Sequence, residues 1–162
     1  MIFDLDPPRG VSPVLLGMSV NEARSAMGHW GLPEDVVGGI TPGLRVRDSR
    51  LEFDVFAHFE DGSSVTAIEV WRPLGESSAS VVWQGVDIFG NSADVVLRKI
   101  RDLGNGIDES DPRSPCCPDV AIGFNRTGGP EFAGPALPEF FESVLIAESG
   151  YYSVEVDLGE FS

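Results

Sequence analysis

Leu51, Phe53, Val55, Ala57 and Phe59 alternate along the chain with Glu52, Asp54, Phe56, His58 and Glu60. This period of two predicts a β-strand with one buried face, because successive side chains of an extended backbone point to opposite sides. Asp61-Gly62 then predicts a tight hairpin turn, and the β-branched and aromatic run Val65 to Trp71 predicts the returning strand, so a hairpin is expected over about 51–71. On the return the inward set is Thr66, Ile68 and Val70, which leaves Val65, Ala67, Glu69 and Trp71 outward.

A different period marks two helices. Ser19 and Glu22 have capping-box spacing, Ala23, Ala26 and Met27 share a face, and Gly28 ends the segment, which predicts a helix over about 19–28. Asn91 stands where a cap is expected, with Asp94 near the positive end of the helix dipole. Ala93, Val96, Leu97, Ile100 and Leu103 follow at helical spacing and Gly104 stops the run, so the second helix is expected over about 91–103. Strands are expected at about 119–124, 141–147 and 151–157, with Tyr151 on the outward phase of the last if Tyr152, Val154 and Val156 point inward. The Gly- and Pro-rich stretch Thr127 to Pro138 reads as a long loop.

The two halves share this order. LLGMS precedes the first helix, IFGN the second, and strands follow each. The fold class expected is therefore α+β, built as two tandem repeats over 1–80 and 81–162, each a short helical segment packed on a small antiparallel sheet. A single unrepeated α+β domain is the alternative. Each unit alone is small, so the two should share a core or an interface.

Gly10-Val11 followed by VLLGMS-x-x-EA-x-x-x-MG resembles the opening of the BamE-like (SmpA/OmlA) fold. The doubled unit, together with VDIFGNSADVV and FFESVLIAESGYY, resembles the β-lactamase inhibitory protein and uncharacterised bacterial proteins of that tandem type. The resemblance spans roughly residues 10 to 157 and implies architecture and a concave binding surface rather than catalysis. Two features of those families have no counterpart: a processed cysteine near the N-terminus that would carry a lipid anchor, and a separated pair of cysteines.

Composition narrows the partners. The net charge is -15, with 11 basic and 26 acidic residues, and no basic stripe of the kind that supplies affinity for phosphates. Nucleic acid and anionic membranes should be repelled, and basic proteins attracted. No stretch approaches the roughly 20 apolar residues a membrane helix needs, and MIFDLDPPRG does not look like a signal peptide, so a cytoplasmic protein is expected. No feature sets an oligomeric state.

Candidate chemistry is sparse. A metal site is not expected, because the only cysteines, Cys116 and Cys117, are adjacent and the only histidines are His29 and His58. Nearby acids should raise the thiol pKa values, which disfavours a cysteine nucleophile. Gly38-Gly39 and Gly128-Gly129 lack the Lys or the spacing of a phosphate-binding loop. No catalytic residue and no cofactor are expected.

What remains is the outward face of the predicted hairpin. Glu52, Asp54, Phe56, His58, Asp61, Glu69 and Trp71, joined by Tyr151, would place aromatics inside a rim of acids, an arrangement typical of protein interfaces. The expected function is a non-catalytic protein-binding module, inhibitor- or immunity-like, that engages a protein partner, a basic one if charge decides. The alternative is a small-ligand carrier or sensor using the cleft between the repeats. In a blander arrangement the second repeat covers the face and turns its aromatics into shared core.

Overall fold

In a computed structural model that describes residues 2–37, 42–48, 53–73, 79–127 and 136–152, the period of two at 53–59 appears as a strand with Phe53, Val55 and Ala57 buried and Asp54, Phe56 and His58 half-buried on the other side. The elements run β1 (Ile2–Asp6), β2 (Gly10–Val11), β3 (Val14–Leu15), α1 (Val20–Met27), β4 (Glu34–Val36), β5 (Gly43–Asp48), β6 (Phe53–His58), β7 (Ala67–Trp71), β8 (Ser80–Trp83), β9 (Val86–Asp87), α2 (Ala93–Asp102), β10 (Cys116–Cys117), a 3-10 turn at Pro118–Val120, β11 (Ile122–Asn125) and β12 (Ser143–Ala147). The protein is α+β.

The described strands form two sheets, in the orders β3-β2-β1-β8-β9 and β10-β11-β12-β7-β6-β5-β4. Both sheets cross the expected boundary at residue 80. β7 pairs antiparallel with β12 through Trp71 opposite Ser143 and Glu69 opposite Leu145, and β1 pairs parallel with β8. The halves therefore meet edge to edge within continuous hydrogen-bonded ladders. Among the described residues the first half runs three short strands, a helix and four strands, and the second two strands, a helix and three strands.

The five-stranded sheet and both helices lie on one side of the seven-stranded sheet, with β2 against β7 and β12. Phe3 touches the rings of Trp30 and Phe53 edge-on, with centroids 5.4 and 5.1 Å away, and so ties the first sheet to the second. Ile68, Val70, Val144 and Ile146 line the same core from both halves, and Ala23, Met27, Val96 and Ile100 reach it from the helices. Each fully buried aliphatic or Phe side chain contributes about 1.5–3 kcal/mol. This shared core is the reason neither half needs to stand alone.

The expected capping box is present: Ser19 Oγ accepts from Glu22 N, and Glu22 Oε1 accepts from Ser19 N. The second helix is capped one residue later than its pattern implied. Ser92 Oγ accepts from Val95 N, while the Asn91 amide donates to the Asp87 carbonyl and closes the preceding turn. Leu103, expected on the apolar face, is 54% exposed, because it lies past the last helical turn. Gly104 then adopts the left-handed conformation, at φ +94°.

Three strand expectations change. The hairpin does not turn tightly at Asp61-Gly62: its last ladder pair is His58 opposite Ala67, and residues 59–66 form the connection. Val65 leaves the ladder and exchanges backbone hydrogen bonds with Met18 and Gly17, so it is buried in the main core instead of pointing outward. Thr66, expected inward, uses its hydroxyl to bridge Glu60 N and the His58 carbonyl. The strand expected at 119–124 starts later, because Pro118–Val120 forms a 3-10 turn and Ala121 is left-handed at φ +55°. Tyr151 and Tyr152 are helical and do not begin a strand, while 153–157 lie outside the described residues.

Candidate functional site

The seven-stranded sheet keeps its second face away from the core, and this face carries most of the residues singled out from sequence. Its central row is set by register: Arg45 on β5 opposes Phe56 on β6, which opposes Glu69 on β7, then Leu145 on β12 and Gly123 on β11. Among the described residues β12 and β11 lengthen this face, Tyr151 and Tyr152 cover its Ala67 end, and Phe56, His58 and Trp71 stay half-buried outside the main core cluster. Glu52 lies outside the described residues.

On the β5 side the face is neutralised. Arg45 donates from Nε to Asp54 Oδ1 at 2.8 Å and from Nη2 to Oδ2. That bond holds the Arg45 guanidinium above its ordinary pKa. The Cε1–Cζ edge of the Phe56 ring fills the space beside Gly43, where a Cβ would lie 2.5 Å from Cζ, and the ring centroid is 4.3 Å from that of His58. Trp71 is half-buried in register with Asp54 and Ser143.

Acids accumulate where β7 meets β12. His58 Nε2 lies 3.4 Å from Glu69 Oε1, and Ser143 Oγ donates to Glu69 Oε2 at 2.8 Å. The Glu69 side chain is 19% exposed. Tyr151 donates its hydroxyl to Glu60 Oε1 at 3.3 Å, which brings a residue of the second half to the turn of the first. A cleft of about 500 Å³ opens here, lined among others by His58, Glu60, Glu69, Asp111, Ser143, Leu145, Tyr151 and Tyr152. A second depression of about 390 Å³ adjoins it through Asp111, Ser114 and Tyr152 and adds Asp108 and Cys116. Among the described residues, neither is lined by Lys or Arg.

The walls have local causes. Tyr152 occupies the space above Gly123, where a Cβ would fall inside the phenol with Cζ 2.7 Å away. Its ring and that of Tyr151 meet edge-on at 5.1 Å over Ala67, Ala121 and Ala147. Ala67 thus faces outward as expected, but the tyrosines cover it. On the other rim, Asp108 and Cys116 exchange backbone hydrogen bonds of 2.8 and 3.0 Å, which anchors the loop carrying Asp111 and Ser114. The Asp108 carboxyl is held below its usual pKa by hydrogen bonds from the Ser110 hydroxyl and then its backbone N–H.

Asp61 has a different occupation. Its carboxylate accepts from the Ser64 hydroxyl and from the backbone N–H groups of Ser63 and Ser64, and these bonds pull its pKa down to about 2. It closes the connection after β6 and does not line either cleft.

Cys117 faces the core, and burial, more than the neighbouring Cys116 and Asp119, pushes its thiol up to about 12. Such a thiol is a poor nucleophile and a poor ligand at neutral pH. Among the described residues no three His, Cys, Asp or Glu side chains are grouped to hold a metal ion, and no helix is long and apolar enough to cross a membrane.

Compared with known proteins, the chain matches no family model, no curated protein and no solved structure.

The hairpin pattern thus brings Phe56, His58 and Glu69 together, with Asp54 and Trp71 beside them, and Tyr151 joins through Glu60. Gly123, Ser143, Leu145 and Tyr152 were not anticipated, because they face the hairpin only through the pairing of β12 and β11 with it. Arg45 and Arg47 carried a readable signal: they alternate with the buried Leu44 and Val46.

Proposed function

We propose that the protein is a non-catalytic protein-binding module, inhibitor- or immunity-like, that engages a basic protein partner through the outward face of the seven-stranded sheet. The observation that carries this reading is the cleft at the β7–β12 junction, built from both halves and lined by Glu60, Glu69 and Asp111 with two tyrosines and no Lys or Arg among its described lining. Tyrosines within a desolvated patch are frequent anchors of binding energy, and complementary charge speeds encounter. The net charge of -15 adds long-range attraction for a basic partner. Two BamE-like units joined edge to edge, with the binding face on the joined sheet, fit the order of elements in each half. A cytoplasmic site of action fits a chain whose two cysteines are adjacent in sequence.

Pull-down with the wild type and with a Glu69→Lys variant, at low and high salt, tests the reading. A specific protein should be retained by the wild type at low salt, less at high salt, and not by the variant. Retention unaffected by the charge reversal, or no retained protein, overturns it.

The cleft's volume and its position between the halves also favour a second reading, a small-ligand carrier or sensor. A metabolite that raises the melting temperature of the wild type but not of Glu69→Lys would select it.

A further inference from the structure

Resting on the protein-binding reading, we propose that the cleft at the β7–β12 junction takes an arginine side chain of the partner, with its guanidinium against Glu69 and Glu60 and its planar face against a tyrosine ring.

Six of the described arginines show how this fold treats its carboxylates. Arg9, Arg24, Arg45, Arg47, Arg101 and Arg126 each pair with an acid, respectively Asp6, Asp35, Asp54, Glu34, Glu109 and Asp94. All six acids lie outside the cleft. Glu69 and Glu60 have no Lys or Arg partner among the described residues, although the Glu69 side chain is only 19% exposed. A carboxylate so far removed from water needs compensation. His58, Ser143 and Tyr151 supply part of it through contacts at 3.4, 2.8 and 3.3 Å. Those contacts also orient the two carboxylates before any ligand arrives. An ionised carboxylate has about four acceptor sites, so each keeps capacity for more donors.

Arginine suits this environment better than lysine. Its guanidinium is a rigid fork that meets carboxylates with paired hydrogen bonds, it sheds water readily, and it stacks on aromatic faces. Tyr151 and Tyr152 provide such faces at the wall of the cleft. A side chain delivered by a protein fits the surroundings better than a free cation does, because the cleft continues into the depression at Asp108 and Asp111 and lies on the same sheet face as Trp71 and Phe56. A larger body could rest on those surfaces while one side chain enters.

The test is an NMR titration of the full ¹⁵N-labelled chain with N-acetyl-arginine methylamide, its uncharged citrulline counterpart, the matching lysine derivative and free arginine. The arginine derivative should give saturable shifts centred on the amides of Gly123, Ser143 and Tyr152. Citrulline should give none, and lysine should bind several-fold more weakly. Glu69→Gln should weaken the arginine derivative about tenfold, as loss of one partner in a partly desolvated charge pair predicts. Glu60→Gln gives a second reading should Glu69→Gln disturb the fold, which its spectrum away from the cleft reports. Shifts that do not saturate, an equal response to citrulline, or affinity unchanged in both variants overturns the proposal. Tighter binding of free arginine than of the blocked form overturns it too, in favour of a metabolite. If partner capture remains sensitive to Glu69→Lys while the arginine derivative fails, the arginine assignment falls and the protein-binding reading stands.

Discussion

Replacing Gly123 by Ala should destabilise the protein when Tyr152 is present and stabilise it when Tyr152 is absent. Gly123 sits in β11 opposite Leu145, and a methyl there would lie inside the Tyr152 phenol, with Cζ 2.7 Å from it. The ring is the far end of a side chain and can swing away, so the backbone need not break. In leaving, it uncovers part of the patch formed by Ala67, Ala121 and Ala147 and parts from Tyr151. A tyrosine buries about 200 Å² when fully enclosed. Losing roughly half of that at about 25 cal/mol per Å² costs ~2–3 kcal/mol. Against this, Ala in a strand interior is favoured over Gly by about 0.5–1 kcal/mol. The net expectation for Gly123→Ala is a loss of about 1–2 kcal/mol. In a Tyr152→Ala background only the second effect survives, and the same substitution should gain about 0.5–1 kcal/mol.

Urea unfolding of the four proteins in this double-mutant cycle reads the sign directly. With a slope of about 2 kcal/mol/M, the single variant should move the midpoint down by roughly 0.5–1 M, whereas adding Gly123→Ala to Tyr152→Ala should move it up. If Gly123→Ala has the same effect in both backgrounds, the ring does not rest on the sheet at residue 123. The wall of the cleft would then need another cause.

Asp61, held down to about 2 by Ser64 and Ser63, contributes stability that is present above its ordinary value near 3.8 and disappears as pH falls from there toward 2. Asp61→Asn should therefore flatten that part of a stability-against-pH curve measured by thermal melting, and a curve of unchanged slope would contradict this. Arg126 is 6% exposed and donates to the Pro138 carbonyl at 2.7 Å and to Asp94 at 2.8 Å. Arg126→Ala leaves that carbonyl without its donor and should cost about 1–3 kcal/mol, whereas Asp94→Asn, whose side chain is 81% exposed, should cost under about 1 kcal/mol; chemical denaturation ranks the two. With its thiol pushed up to about 12 and in the core, Cys117 should resist an alkylating reagent at pH 8 and react only in denaturant, as mass spectrometry of the digested protein would record.

Much of the fold was legible locally. The period of two at Phe53–His58 placed each residue on its observed face, and the Ser19–Glu22 box marked the start of α1 correctly. Local pattern misled where a tertiary contact outbid it. Val65 reads as strand, yet Met18 and Gly17 take its backbone hydrogen bonds. Asp61-Gly62 reads as a two-residue turn, yet the Asp61 side chain binds Ser63 and Ser64 and spreads the connection over residues 59–66. Ala121 breaks the strand expected there because a left-handed residue cannot continue the pleat. The short β2, β3, β9 and β10 are two residues each, too few for any period to declare itself.

The site was legible as a face but not as a place. Periodicity says which side of a strand a residue occupies and nothing about which strand lies next to it, so the hairpin alone made Asp54, Phe56, His58 and Glu69 look like an acid-ringed aromatic patch. Pairing redistributes that charge. On one side β5 contributes Arg45, which cancels Asp54, and Arg47, which lies 3.8 Å from Glu34. On the other side β12 and β11 contribute Ser143, Leu145 and Gly123, none of them charged. Of the hairpin acids that line the cleft, Glu69 and Glu60, next to the uncharged strands, pair with no Lys or Arg among the described residues. Substituting Arg for Leu145 would supply across the β7–β12 junction the cation that β5 supplies to Asp54, so the proposed binding of an arginine derivative should be lost in the NMR titration while the core face of both strands stays as it is; unchanged binding would contradict the proposal.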